Sequence, residues 1–197
     1  MGELKSALER AMEKTGKLGS LSAEEKKRQE EARLMPMGRA LAEKYLLHGH
    51  TKILVDDVSR FSVAEKDMVT RGALSGLVGS IGFDKGITVE SLDRVQAGLL
   101  ALAVSDKGSI EKVIGELKVL SAEFDAEQQR TLSSEAGRID GAEREQLREM
   151  GIAGSAIAEI NVKAGAAWRQ VVKDLRSRFA ERLESLKKRL AEGVIKL

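Results

Sequence analysis

The chain has no cysteine, a single proline, a single tryptophan and a single tyrosine. Without thiols, disulfides, thiolate nucleophiles and cysteine metal centres are excluded together, which fits a reducing compartment. Aromatic residues make up only 3% of the chain, and strands favour aromatic and β-branched side chains, so an extensive sheet is disfavoured. Long apolar runs are missing too: the greasiest stretch, Ala97 to Val104, is far short of the roughly 18 residues that a membrane span requires. The opening MGELKSALERAMEK is charged throughout and has no apolar h-region, which speaks against a secretory leader. Together these absences lead us to expect a cytoplasmic protein without a transmembrane segment.

What is present is charge, 32% of residues, laid over apolar side chains that recur at helical spacing. Leu4, Leu8 and Met12 mark a first helix, and Ser22 with Glu25 has the spacing of a capping box opening a second. That second helix is polar almost all round from Ala23 to Arg33, and Pro36 is expected to break or restart it, with Leu41 and Tyr45 inward afterwards. TKILVDD, from Thr51 to Asp57, is the one stretch of strand-like composition; no alternation of strands and helices follows, so it reads as an irregular connection. His48 and His50 lack a third ligand, and Asp56 and Asp57 are near them in sequence only, so no metal site is expected.

The glycine-rich RGALSGLVGSIGFDKG suggests a phosphate cradle, but a P-loop needs Ser or Thr after its lysine, and Lys85 is followed by Gly86. Val69, Ala73, Leu77 and Ile81 instead continue a helix opened at Ser62 and Glu65. Gly72, Gly76 and Gly79 then lie along one side, where a missing side chain lets another helix come close. A turn at Phe83 to Gly86 precedes a stripe through Val89, Leu92, Val95, Leu99 and Leu102. After a break near Ser105, Ile110, Val113, Ile114, Leu117, Leu120, Phe124 and Leu132 define a long helix face. Gly137 and Gly141 bracket an expected turn, with Asp140 and Glu143 as a further capping pair. From 141 to 197 one long C-terminal helix is expected, small-sided through Gly151, Gly154 and Ala158, then carrying the stripe Trp168, Leu175, Phe179, Leu183, Leu186 and Leu190.

Charge is unevenly shared. Residues 51–162 hold 13 bases and 19 acids, whereas residues 163–197 hold 10 bases and 4 acids. On a helical wheel Arg178, Arg182 and Arg189 flank one side of the C-terminal stripe and Arg169, Arg176 and Lys187 the other, while Glu116, Glu123 and Glu127 flank the preceding one. Acid-flanked and base-flanked stripes suit each other. Folding back at residue 139 would set Ile110 beside Trp168, leaving 29 residues of tail, about 43 Å, with an uncovered apolar face.

The N-terminal MGELKSALERAMEKT is similar to the opening of an uncharacterised family of small bacterial helical proteins that begin Met-Gly-Glu, an aliphatic residue, then Lys-Ser-Ala-Leu-Glu. The resemblance covers about 15 of 197 residues. It implies a bacterial, cytoplasmic protein and no particular activity, cofactor, partner or site residue.

The expectation is therefore an all-α protein of long antiparallel helices, a bundle or coiled-coil-like hairpin, with an N-terminal arm (1–36) and a bundle domain (37–197). Its tail stripe is covered first by the chain itself, through helices at 3–18 and 37–48, and next by a second copy or another helical protein. A membrane surface or nucleic acid ranks below these, although a basic tail suits either. No nucleophile with a base and no metal constellation can be named, so a non-enzymatic structural or protein-binding module without cofactor is expected. The alternative is a basic-tail adaptor for nucleic acid or an anionic membrane.

Overall fold

The computed structural model describes residues 22–102, 107–151 and 165–194. The expected helix at 3–18, the segment that carries the family resemblance, and Gly154 with Ala158 lie outside the described residues. Those described form an all-α bundle of six helices and one 3₁₀ turn, and no strand occurs among them. No described helix is long and apolar enough to cross a membrane.

Helix α1 (Ala23–His48) opens on the expected capping box: the Ser22 amide donates to the Glu25 carboxylate at 2.8 Å, and the Glu25 amide donates to Ser22 Oγ at 3.1 Å. Its first turns are exposed on every side, and burial begins where the spacing Leu34, Gly38, Ala42, Tyr45 supplies an apolar face. Contrary to expectation, Pro36 neither breaks nor restarts the helix, and residues on both sides of it belong to α1. Pro36 sits on the exposed side, where water can satisfy the carbonyl that loses its N–H partner, while Leu34 and Gly38 anchor the opposite side. Gly49, left-handed at φ 77°, ends the helix.

TKILVDD is neither a strand nor an irregular connection but most of helix α2 (Thr51–Ser59). Leu54, Asp57 and Val58 turn inward at spacings of three and four, and that tertiary demand overrides the β-branched composition of Ile53 and Val55.

Helix α3 (Val63–Gly79) crosses α1 at very short range. A Cβ on Gly38 would lie 2.6 Å from the Ala73 nitrogen and 2.8 Å from Gly72 Cα, and nearer still to the Val69 carbonyl oxygen. Gly72 faces Met35, and a Cβ on Gly76 would lie 2.9 Å from Ala42 Cβ. Gly79 does not take part: nothing lies within 4 Å of where its Cβ would be, because it is at the exposed end of α3 past the crossing. The expected Ser62 cap is also incomplete, since its hydroxyl donates to Glu65 Oε2 at 2.8 Å and makes no cap bond to the helix backbone.

After the 3₁₀ turn Phe83–Lys85, helix α4 (Val89–Leu102) buries Leu92, Val95, Gly98 and Leu99, while Val89 stays half exposed. Helix α5 (Lys107–Glu149) then runs 43 residues without the expected turn at Gly137 and Gly141. A glycine inside a helix costs only about 1 kcal/mol, and Asp140 accepts a 2.7 Å bond from Arg144 one turn on, which supports the helix instead of capping a new one. The chain leaves α5 at Met150 and Gly151, the latter left-handed at φ 77°.

Helix α6 (Ala166–Val194) returns along α5, so the long C-terminal helix begins later than 141. Its register differs from the expected one for the same reason: with the turn displaced, Glu116 meets Arg189 at 2.6 Å and Glu123 meets Arg182 at 2.7 Å. Residue 193 lies beside Ser109 near the start of α5. The tail therefore does not outrun its partner. A second cover comes from α3, in place of the 37–48 segment, and from Phe83, whose ring stacks on Phe124 at 4.3 Å. Phe179 closes that aromatic group edge-on, 5.5 Å from Phe124 and 6.1 Å from Phe83.

Candidate functional site

The stripe expected to receive a partner helix lies largely inside this bundle. Trp168, Leu175, Leu183 and Leu190 are buried, and Phe179 and Leu186 are half buried. Each fully buried leucine contributes about 1.5–3 kcal/mol to the fold, so this stripe is first of all core.

The flanking bases divide into two groups. Arg189 grips Glu116 with both terminal nitrogens, at 2.6 and 3.1 Å, and Arg182 holds Glu123 while its guanidinium stands 5.9 Å from the Phe179 ring centroid. The hydrogen bond from Arg189 lowers the Glu116 pKa below the ordinary carboxylate value, and the same bond raises that of Arg189. Lys187 pairs along its own helix with Glu184 at 2.8 Å. Arg169, Arg176 and Arg178 are exposed.

Along their shared surface α5 and α6 line an open groove of about 730 Å³. Helix α5 lines it with Lys112, Gly115, Glu116 and Val119, and α6 with Glu181, Arg182, Ser185 and Leu186. Val119 is 58% exposed, unusual for a valine midway along a helix whose neighbours Leu117 and Leu120 are buried. The one-for-one return of α6 along α5 sets Val119 level with Leu186, making an apolar rung between the charged pairs Glu116–Arg189 and Glu123–Arg182. Its composition is that of a contact surface, an apolar centre between fixed charges.

The other sequence candidates are tied into the fold. Lys85 donates to the Gly79 carbonyl at 2.7 Å, closing the end of α3 and not cradling a phosphate. Asp57 turns its buried carboxylate onto Lys44 at 2.7 Å and Arg60 at 3.2 Å. The Lys44 hydrogen bond, helped by both cationic charges, keeps the Asp57 pKa below the ordinary carboxylate value against the opposing effect of burial. No cluster of three or more metal-ligating side chains occurs among the described residues.

Sequence reasoning missed Gly38, Gly98 and Val119. Gly38 and Ala42 repeat the four-residue spacing of Gly72 and Gly76, a signal of paired small-residue faces that was available before the fold was known. Gly98 faces Tyr45, whose hydroxyl donates to the Arg94 carbonyl at 2.8 Å, and nothing local announces that approach. Val119 lies just off the buried face, where an apolar residue is out of place without a partner.

Comparison with protein-family models, curated proteins and solved structures yields no match for this chain.

Proposed function

We propose that the protein is a non-enzymatic helical protein-binding module that meets its partner along the α5–α6 hairpin. The observation that carries this is the exposed Val119 level with Leu186 in an open groove, bracketed by two interhelical ion pairs. An apolar centre with a charged rim is the usual composition of a protein contact surface. The ion pairs hold the two helices in fixed register, so the groove is formed before a partner arrives and little ordering cost attends binding.

A photo-crosslinking amino acid at Val119, with the same substitution at the exposed Ala40 as control, tests this in the producing cell. The expected result is a discrete protein adduct at 119 and none at 40. No adduct, or equal labelling at both positions, would reject the proposal.

The exposed Arg169, Arg176 and Arg178 favour a second reading, a basic surface for nucleic acid or anionic lipid. Binding to either that falls steeply with salt and is lost when all three become glutamine would support it. It ranks lower because Arg182, Lys187 and Arg189 are already engaged with carboxylates.

A further inference from the structure

We infer that the occupant of the groove is a second copy of this chain, docked about a two-fold axis through the Val119–Leu186 rung. This rests on the protein-binding reading above and names its partner.

The groove is charge-complementary to itself. From the rung, Lys112 lies seven residues toward one end on α5, about 10 Å at 1.5 Å per residue, and Glu181 lies five residues toward the other end on α6, about 8 Å. Both are exposed, and neither holds a salt bridge among the described residues; Lys112 only lends its charge to nearby Glu116. One cation and one anion, neither in a salt bridge among the described residues, thus stand at near-equal distances on opposite sides of one apolar centre. A two-fold axis in the plane of the groove, oblique to the helices, exchanges the two ends. It sets Lys112 of each copy against Glu181 of the other, so one contact is made twice, as an isologous interface requires.

The apolar part fits the same arrangement. The axis lays Val119 of one copy against the rung of the other, and nothing lies within 4 Å of where a Cβ on Gly115, one turn away, would be. That gap has room for an incoming side chain. A helix of unrelated sequence would have to supply a base and an acid at these two places independently, whereas a second copy supplies them by symmetry. With two apolar residues per copy at its centre, the contact is a weak, concentration-dependent one.

Sedimentation equilibrium of the full-length protein over a wide concentration range tests the inference. The native chain should pass from monomer to dimer. Lys112→Glu and Glu181→Lys, each of which sets like charges together twice, should weaken dimerisation by at least about tenfold. Mixing these two variants in equal amounts should restore a dimer, because each then offers what the other lacks. Equal thermal melts for both variants would show that the fold is intact, since both positions are exposed. A native chain that stays monomeric, single variants that dimerise like the native chain, or a mixture that fails to recover would each overturn it. The adduct at Val119 separates this inference from the reading beneath it. An adduct of twice the 21.4 kDa chain mass supports the second copy. An adduct of another mass overturns the second copy and leaves the protein-binding reading standing, and no adduct removes both.

Discussion

Replacing Gly38 by alanine adds one methyl group at the α1–α3 crossing, and the fold should resist it strongly. The new carbon would sit 2.6 Å from the Ala73 nitrogen and 2.8 Å from Gly72 Cα, with the Val69 carbonyl oxygen closer again. Carbon contacts are comfortable at about 3.5–4.0 Å, so the helices must part by roughly 1 Å, a gap that forfeits a quarter to a half of each dispersion contact across the crossing. The obstructing atoms are backbone and cannot rotate away. Overpacking of this kind costs about 3 kcal/mol, and the better helix propensity of alanine returns about 1 kcal/mol, leaving a net loss of about 2 kcal/mol. For a chain of this size that lowers Tm by roughly 4–8 °C. The same substitution at Gly137, where nothing lies within 4 Å of the added carbon, keeps only the propensity gain and should raise Tm by roughly 2–4 °C. Circular dichroism at 222 nm through a thermal melt reads both. If Gly38→Ala melts at or above the native temperature, the close crossing is wrong.

Three further outcomes follow from the same geometry. Leu175→Ala, at a fully buried position, should lose about 2–5 kcal/mol in urea denaturation, whereas Val119→Ala should change stability by no more than about 0.5 kcal/mol; equal effects would mean the tail stripe is not core. Asp57, Glu65 and Glu116 each have a folded-state pKa below the ordinary value, set chiefly by hydrogen bonds from Lys44, Ser62 and Arg189 respectively. The stability they contribute is therefore fully present above the unfolded value of about 4 and is lost as pH falls through their folded values, so denaturation midpoints should be flat near neutrality and decline below about pH 4, less steeply in Asp57→Asn. Gly151→Ala forces a side chain into the left-handed region at φ 77° and should cost about 1–2 kcal/mol by chemical denaturation, unlike Gly137→Ala.

The sequence was informative where structure is decided locally. Helical spacing, the Ser22–Glu25 box and the charge flanks are properties of one helix at a time. The wheel shows that an acid-flanked stripe and a base-flanked stripe suit each other without saying which flank meets which, and the structure joins Glu116 to Arg189 and Glu123 to Arg182. Which residue faces which is another matter, because it depends on where the chain turns. Gly137 and Gly141 offered a turn that packing did not require, and moving the turn to Met150 and Gly151 changed every pairing along the hairpin. Pro36 and TKILVDD were misjudged for a related reason: local preferences of about 1–3 kcal/mol yield when an inward face such as Leu34–Gly38 or Leu54–Val58 is buried against neighbours. The groove was not legible at all, since it exists only once α5 and α6 are in register.

Helix α5 is unevenly buried along its length. Up to Phe124 its inner face is buried, and beyond that residue no described side chain on it is buried. The 43 amides of one continuous helix therefore experience two environments. In hydrogen–deuterium exchange, those before Phe124 should open only with the whole molecule, while those after it should open through local fraying at much lower free energy. Denaturant should move the first group strongly and the second hardly at all. A single helix would then carry a gradient of protection along its length, set by how deeply its inner face is buried.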